Sequence, residues 1–176
     1  DAGTRLMPSM AAAGLHCLGV IPEERMLLAV TVGDIASHLD GRFVVGKELT
    51  DGLVEHFMVG GLGMDPGDLY FRTRENKTVV IRGDRPDVQM SALTTPTKCM
   101  LLTQGIEPIE YVKYEAELEE VPLVVVEPDT LTTMDLLNTL QDGAQFDHPA
   151  KVERLGQLLT EHLDLTAVYA GLGLAA

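Results

Sequence analysis

Residues 78–93 read TVVIRGDRPDVQMSAL, and this stretch decides the fold. The apolar run from Thr78 to Ile81 predicts a buried β-strand, whereas Asp87 to Leu93 predict the start of a helix. Strand and helix are joined by a charged turn made of Arg82, Gly83, Asp84 and Arg85. Charge at this position indicates either an ordinary helix cap or the edge of a binding site.

The same succession of strand and helix occurs twice more downstream. The apolar runs CMLL (99–102) and LVVV (123–126) are each followed by a helical pattern, at 109–119 and 130–140. Strands that alternate with helices are typical of a parallel sheet, and near-continuous apolar runs are typical of strands buried on both faces. The sequence therefore predicts an α/β fold with a mostly parallel sheet and helices on both faces.

The flanking segments predict shorter elements. Thr31 with Asp34 resembles a capping box in which Asp replaces Glu, and it opens a helix that Gly41 stops. Strands are predicted at 16–22, 42–46 and 54–59, and a turn-rich segment at 64–73. Helices are predicted at 6–15 and 150–163, and the tail from residue 167 has no assigned role.

The chain is strongly acidic. It has 13 Lys and Arg against 27 Asp and Glu, which gives a formal net charge of −14. This balance argues against a nucleic-acid partner, which requires a basic face, and is expected of a soluble cytoplasmic protein. No apolar run approaches the roughly 18 residues of a membrane span, so no membrane partner is predicted either.

The sequence carries no recognisable catalytic constellation. There is no GxxxxGK[ST] phosphate loop, no GxSxG elbow and no HExxH, and GGLG at 60–63 matches a dinucleotide-binding loop only loosely. The five histidines have no metal-ligand spacing. Cys17 and Cys99 lie in apolar runs and are predicted to be buried, reduced thiols. We therefore predict no catalytic residue and no metal site, and no cofactor can be identified.

Candidate ligand-binding residues follow the predicted strands. In parallel sheets ligands bind beyond the carboxyl ends of the strands, where loops meet helix N-termini. The candidates are Gly60, Gly61, Gly83, Asp84, Arg85, Asp87, Thr103, Gly105, Asp129, Thr130 and Thr133. Their backbone N–H groups, hydroxyls and carboxylates suit a polar pocket.

Each candidate also has a purely structural interpretation. Asp84 and Thr130 are good N-cap residues, and glycines at strand–helix turns satisfy backbone geometry. Arg85, flanked by Asp84 and Asp87, could form a self-contained network of surface ion pairs. Both interpretations stay open at this point.

The motifs resemble those of the DRTGG domain. IRGDRPDV (81–88), LLTQGIEP (101–108) and VPLVVVEPDTLTT (121–133) occur in the order and spacing of that family. The matching positions are Gly83, Asp84, Arg85, Asp87, Leu102, Thr103, Gly105, Asp129, Thr130 and Thr133. Gln104 departs from the glycine that the family usually has. The resemblance covers residues 29–142 and implies an α/β fold related to the N-terminal domain of HPr kinase.

A second resemblance concerns residues 1–25. They look like the last helix and strand of a dethiobiotin-synthetase-like P-loop ATPase domain, which is expected upstream in the same polypeptide. This layout occurs in bacterial phosphate acetyltransferases and in shorter two-domain proteins. The start at Asp1 is expected of a fragment or a trimmed chain, and the absence of an acetyltransferase domain after Leu163 favours the shorter type. Residues 143–176 are predicted to form a C-terminal helix and tail.

The resemblance implies a regulatory role, because DRTGG domains accompany catalytic or ligand-sensing modules. The first hypothesis is a homodimeric regulatory domain that senses a small-molecule or nucleotide effector at the strand-end edge. The second is a part of an ATP-dependent or phosphate acetyltransferase enzyme, in which Arg85 contacts phosphate and Asp84 or Asp129 binds magnesium. The third is a structural dimerisation module whose polar edge only caps helices.

Overall fold

The structure is a computed structural model that describes residues 2–61 and 67–174. Its elements fall into two compact units, Leu28–Gln145 and a smaller one formed by Asp1–Leu27 with Phe146–Ala176. In chain order the elements are α1 (Ala2–Ala12), a 3-10 turn (Arg25–Leu28), β1 (Val30–Thr31), α2 (Val32–His38), β2 (Arg42–Val45), β3 (Leu53–Val54), β4 (His56–Gly60), α3 (Gly67–Phe71), β5 (Lys77–Arg82), α4 (Pro86–Leu93), β6 (Thr97–Thr103), α5 (Glu110–Leu118), β7 (Leu123–Val125), α6 (Thr130–Asp142), α7 (Pro149–His162) and α8 (Leu165–Gly171).

A five-stranded sheet forms the centre of the larger unit. Its strand order is β2-β7-β6-β5-β4. Strands β4, β5, β6 and β7 run parallel to one another, and β2 pairs antiparallel with β7 at one edge. The predicted α/β fold with a mostly parallel sheet is confirmed.

Both faces of the sheet are buried, as the continuous apolar runs predict. Side chains alternate along each strand, so Val80 and Leu101 face one layer of helices whereas Val79 and Met100 face the other. The first face packs against α2 and α6, and the second against α3, α4 and α5. The central strands are therefore sealed from water by helices on both sides.

The entry into the sheet is a short antiparallel ribbon followed by a capped helix. β1 pairs with β3, and the sequence predicted a single strand where β3 and β4 are separate. The Thr31 hydroxyl accepts the Asp34 N–H at 3.0 Å, and the Thr31 N–H donates to the Asp34 carboxylate at 3.0 Å. The predicted capping box is confirmed, and it fixes the start of α2.

The structure of the smaller unit differs from the sequence predictions at two places. The strand predicted at 16–22 is wrong, because the segment makes only one β-bridge, from Gly19 to Leu163. A Cβ on Gly19 would lie 2.0 Å from the His162 carbonyl oxygen, so the two backbones are in direct contact. The tail without an assigned role forms α8, whose first turn is capped by the Asp164 carboxylate.

The cysteines are both free, but only one is buried. Cys99 is fully buried in β6, and burial raises the pKa of its thiol to about 12. Cys17 is only partly buried and donates to the Gly19 carbonyl at 3.3 Å, so its predicted full burial is wrong. No helix among residues 2–61 and 67–174 is long and apolar enough to cross a lipid bilayer.

Lys77, at the start of β5, is fully buried, and its burial predicts that the stability of the fold depends on pH. Its Nζ donates to the Pro96 carbonyl at 2.6 Å, and burial lowers its pKa to about 8, with Glu75 opposing the shift. The folded pKa lies below the unfolded value, so the unfolded chain binds more protons between about pH 8 and pH 10.5. We expect this lysine to make the folded state more stable as the pH rises through that window.

The measurement is urea unfolding of the wild type and Lys77→Met at pH 7, 8, 9 and 10. The stability of the wild type relative to the variant should rise by about 1–3 kcal/mol between pH 7 and pH 10. Lys98→Met is the matched control, because Lys98 is exposed on the neighbouring strand. A difference that stays flat with pH would show that Lys77 titrates as in the unfolded chain.

Candidate functional site

The carboxyl ends of the parallel strands lie side by side. In the pairing register Gly60 of β4 faces Ile81 of β5, and Arg82 of β5 faces Thr103 of β6. The last residue of β7 is in register with Leu102, immediately before Thr103. The predicted juxtaposition of the strand ends is confirmed, whereas ligand binding by their residues stays a prediction.

The turns after β5, β6 and β7 contact one another in series. The Gly83 N–H donates to the Thr103 carbonyl at 3.4 Å, and a Cβ on Gly83 would lie 1.9 Å from the Ile106 carbonyl oxygen. A Cβ on Gly105, which has φ +65°, would lie 2.7 Å from the Glu127 carboxylate. Close packing against the Ile106 backbone therefore requires a glycine at position 83, whereas at position 105 the positive φ favours glycine and the Glu127 side chain could move away from a Cβ.

A pair of threonine hydroxyls joins β6 to α6. Thr103 Oγ1 lies 3.2 Å from Thr130 Oγ1, and Thr103 is fully buried. Thr133, which is also buried, donates its hydroxyl to the Asp129 carbonyl at 2.7 Å. These contacts place Thr103, Thr130 and Asp129 at one edge of the sheet, although they are separated along the chain.

Asp129, and not Thr130, caps α6. The Asp129 carboxylate accepts the Thr132 N–H at 2.8 Å, whereas Thr130 is the first residue of the helix. Hydrogen bonding to the Thr132 backbone holds the pKa of Asp129 below its usual value, because that bond stabilises the carboxylate. The interpretation of Thr130 as the N-cap is wrong by one position, and its hydroxyl points to Thr103 instead.

The charged turn that precedes α4 consists of two separate ion pairs. Arg82 donates through Nε to Asp84 at 3.0 Å, and Arg85 donates through Nε and Nη2 to Asp87 at 2.9 and 2.8 Å. Asp84 therefore does not cap α4, whose N-cap residue is Arg85 without a side-chain cap. Arg85 pairs with Asp87, as the structural interpretation expects, whereas Asp84 pairs with Arg82, so a single network around Arg85 does not form.

Each ion pair stabilises the charged form of its carboxylate. The hydrogen bond from Arg82 lowers the pKa of Asp84, and that from Arg85 lowers the pKa of Asp87. Both pairs are exposed, and ion pairs exposed to water contribute little to stability. The free energy that each pair contributes to folding is therefore too small to prevent a charged ligand from displacing one partner.

The glycines after β4 differ in their surroundings. A Cβ on Gly60 would lie 2.7 Å from Ile81 and 2.9 Å from Val88, so packing of α4 on the sheet requires a glycine there. Within residues 2–61 and 67–174, a Cβ on Gly61 would meet only Val59, at 3.8 Å. The loop continues into residues 62–66, so the remainder of the GGLG segment lies outside the described residues.

Gln89 is a buried polar residue beside this edge that sequence reasoning missed. Its Nε2 donates to the Arg82 carbonyl at 2.9 Å and to the Gly83 carbonyl at 3.0 Å, and the side chain is fully buried. Within the described part of the chain its Oε1 has no hydrogen-bond partner. A glutamine beside Val88 on the buried face of α4 was the available signal.

We expect Gln89→Met to destabilise the fold by about 1–3 kcal/mol, because the buried Gly83 carbonyl and the partly buried Arg82 carbonyl lose a donor while the volume is kept. Denaturant unfolding measures the change. Gln157→Met, at an exposed position of α7, is the control and should stay within about 0.5 kcal/mol of the wild type. Equal unfolding midpoints for the two variants would exclude a role for Gln89 in holding the turn.

No metal-binding cluster is present in the part of the chain that the structure describes. Among residues 2–61 and 67–174, no three His, Cys, Asp or Glu side chains lie close enough to hold a metal ion. What the edge offers is hydroxyls, two arginines and carboxylates, contributed by the ends of β5 and β6 and by the segments that follow β5, β6 and β7.

Comparisons with known proteins agree with this architecture. Over 155 residues the chain is 26% identical to a phosphate acetyltransferase of Nitratidesulfovibrio vulgaris strain Hildenborough, a match that covers 82% of this chain. The chain spans only 22% of the length of that curated relative.

A solved structure has a similar fold. It is the crystal structure of the CBS and DRTGG domains of the regulatory region of Clostridium perfringens pyrophosphatase, complexed with the activator diadenosine tetraphosphate. The TM-score is 0.53 at 15% sequence identity, and the match covers 90% of this chain and 82% of that chain. The DRTGG domain family itself matches residues 34–140, which hold the sheet and every candidate residue described above. The chain belongs to the DRTGG domain family.

Proposed function

We propose that this chain is a regulatory domain that binds a small-molecule effector at the carboxyl edge of its sheet. The observation that carries the proposal is the contact between three turns that are distant in sequence. Gly83 packs on Ile106, Thr103 meets Thr130, and Gly105 packs on Glu127. A ligand held at this edge would touch the turns of β5, β6 and β7 together, and would stabilise their packing.

A nucleotide is the effector class that we favour. The similar regulatory region from Clostridium perfringens pyrophosphatase binds diadenosine tetraphosphate, and arginine is the side chain best suited to phosphate. Arg85 is the less exposed of the two arginines in the charged turn, with 31% of its side chain accessible. A phosphate would replace Asp87 as its partner, because the exchange loses only a weak surface pair.

The larger protein and its assembly are also proposals. We propose a parent that resembles phosphate acetyltransferases or dethiobiotin-synthetase-like proteins, with a P-loop ATPase-like domain upstream, residues 29–142 as the sensing domain and a cytoplasmic location. Self-association into a homodimer rests on the resemblance to DRTGG domains. Sedimentation velocity on the 176-residue chain measures it directly, and a monomer at every concentration would remove that part of the proposal.

Thermal unfolding with nucleotides tests the effector. ATP, AMP and diadenosine tetraphosphate should be added separately to the 176-residue chain, with and without Mg²⁺. At 100 times its Kd a ligand adds about 2.7 kcal/mol, which is a shift of several degrees for a domain of this size. We expect at least one nucleotide to give this shift.

Arg85→Ala should weaken nucleotide binding about tenfold or more, because it removes a charge-assisted contact to phosphate. Arg74→Ala is the matched control: it removes the same charge from an exposed position outside the turn and should leave the affinity unchanged. If no nucleotide shifts the transition and the chain still dimerises, the edge only caps helices and the domain is a structural dimerisation module. If both arginine variants weaken binding equally, the attraction is a general charge effect and the assigned edge is wrong.

A further inference from the structure

The outer side of α5 is apolar, although it faces water. Tyr111, Tyr114 and Leu118 are three and four positions apart, so they share one side of the helix, and their exposed fractions are 58%, 57% and 60%. Val112 and Ala116, on the opposite side, are fully buried in the core. Packing on the sheet requires only one apolar side of a helix, so it does not explain the three exposed residues, which we call the outer stripe.

The outer stripe is large for the surface of a single chain. A large side chain that is more than half exposed presents about 100 Å² to water, so the stripe presents roughly 300 Å². Apolar patches of about 300–600 Å² are the largest on a typical monomer and often mark an interaction site. Tyrosine is also one of the residues that contribute most binding energy at protein interfaces. Both the size and the composition of the stripe therefore indicate a docking surface.

Acidic side chains flank the outer stripe. Residues 107–120 contain six glutamates against one lysine, a formal charge of −5 out of −14 for the whole chain. With 3.6 residues per turn, Glu115 lies on one side of the stripe, whereas Glu110 and Glu117 lie on the other. The stripe is therefore an apolar surface with an acidic rim.

The stability of α5 does not account for these charges. Lys113, the single cation of residues 107–120, is paired with Glu107 and Glu110. Glu115 and Glu119 are four positions apart, a spacing at which like charges destabilise a helix, and the C-terminal end of the helix repels the Glu119 carboxylate. A charge pattern that costs helix stability is frequent where a surface serves recognition.

The sign of the charge and the size of the stripe limit the partners that fit. An anionic lipid surface or a nucleic acid would be repelled. A second copy of the chain would bring two acidic rims and two net charges of −14 together, and a stable dimer buries about 800 Å² on each partner, well above the area of the stripe. A basic amphipathic helix satisfies both limits, because one helix covers a narrow stripe while its lysines and arginines pair with the flanking glutamates.

We propose that the outer stripe of α5 binds a basic amphipathic helix of a partner protein, in which lysines and arginines flank a row of apolar side chains. The apolar row would cover Tyr114 and Leu118, and the basic side chains would pair with Glu115 and Glu117. The Tyr111 hydroxyl is hydrogen-bonded to the Glu115 carboxylate, so this ring is already oriented at the rim. The surface includes no residue of the carboxyl edge, so it stands or falls independently of the nucleotide proposal, and a homodimer would use another surface.

Titration of the 176-residue chain with a labelled peptide tests the proposal. The probe is a peptide of about 16 residues made of leucine and lysine, with the leucines at helical spacing on one side. A peptide of the same composition in scrambled order and a leucine–glutamate peptide of the same pattern are the controls. We expect fluorescence anisotropy to detect binding of the first peptide only, and NMR to show shifted amide signals in residues 110–118. Equal binding of the scrambled peptide, or no binding of the leucine–lysine peptide, would overturn the proposal.

Tyr114→Ala provides the second arm. Loss of a large apolar contact at the centre of the stripe should weaken binding of the leucine–lysine peptide about tenfold or more, while the melting temperature of the free chain stays unchanged because the position is exposed. Tyr169→Ala is the matched control, since Tyr169 is 42% exposed in α8 and lies outside the stripe. Unchanged binding in Tyr114→Ala, or an equal loss in both variants, would refute the surface.

Glu117→Lys tests the acidic rim. It should weaken binding of the same peptide about threefold or more, whereas Glu153→Lys, which makes the same charge change at an exposed position of α7, should have a smaller effect. Equal losses in the two variants would mean that general attraction to an acidic chain explains binding, and the proposed surface would be wrong. If Tyr114→Ala instead converts a dimeric chain into a monomer in sedimentation velocity, the stripe is an interface between two copies, which also overturns the proposal.

Discussion

Gly83→Ala should destabilise the larger unit by about 3 kcal/mol or more, the largest effect of any single methyl group that we predict. A Cβ at this position would lie 1.9 Å from the Ile106 carbonyl oxygen and 2.6 Å from its carbonyl carbon. Backbone atoms cannot rotate away as a side chain can, so the turn after β5 and the turn after β6 must separate. Urea unfolding followed by circular dichroism measures the loss.

Gly61→Ala is the matched control for this substitution. Among the described residues, a Cβ on Gly61 would have Val59, at 3.8 Å, as its contact. An alanine there restricts the unfolded chain, so it should leave the stability unchanged or raise it by about 0.4–1 kcal/mol. Gly83→Ala unfolding at the same urea concentration as Gly61→Ala would mean that the two turns are not packed as described.

If Gly83→Ala remains folded, it also separates packing from ligand binding. The substitution moves the Gly83 turn away from Ile106 without removing Arg85 or Thr103. Loss of nucleotide binding in this variant would show that contact between the turns, and not only the arginine, forms the proposed site. Retained binding would place the ligand on the charged turn alone.

The sheet could be predicted from the sequence because its strands have a recognisable local pattern of consecutive apolar residues. Runs such as Val79–Ile81 and Leu123–Val125 are apolar without interruption, and only burial on both faces explains this. The segment at 16–22 is also apolar but short, and whether it pairs as a strand depends on a partner far away in the chain. The partner residue, Leu163, forms a single β-bridge with this segment, so the local pattern alone wrongly predicted a full strand.

The candidate edge could be predicted only in part, for a related reason. The rule that the ends of parallel strands share an edge correctly predicted that Thr103 and Asp129 lie at the same edge of the sheet. It could not show that Gln89 holds the carbonyls of the Gly83 turn, because that contact depends on the docking of α4. The sequence analysis also assigned the capping role of Asp129 to Thr130, since both residue types occur at N-cap positions and the two positions differ by one.

Gln104 shows what a departure from the family pattern means physically. The residue has φ +69°, a conformation that glycine adopts freely and other residues adopt at a cost of about 1–3 kcal/mol. The family's usual glycine at this place is therefore explained by the turn. The neighbouring Gly105, at φ +65°, keeps the glycine and packs under Glu127.

Leu101→Ala should cost about 3–4 kcal/mol, because it removes a fully buried side chain from the middle strand of the sheet. Leu101 is in register with Val80 on one neighbour and Val124 on the other, and all three belong to the core on the face covered by α2 and α6. Helices packed on both sides of the sheet limit relaxation, so the cavity should stay open. Leucine-to-alanine changes of this kind lose transfer free energy and add a cavity penalty.

Leu131→Ala is the control that separates burial from residue type. Leu131 is 73% exposed in α6, so the same chemical change should alter the unfolding free energy by less than about 0.5 kcal/mol. Urea unfolding of both variants measures the difference between the two losses of stability. The slope of the unfolding free energy against urea concentration should be compared at the same time. Comparable losses at the two positions would contradict a sheet buried on both faces. Since every turn of the carboxyl edge begins where one of these strands ends, that result would also remove the structural basis of the proposed effector site.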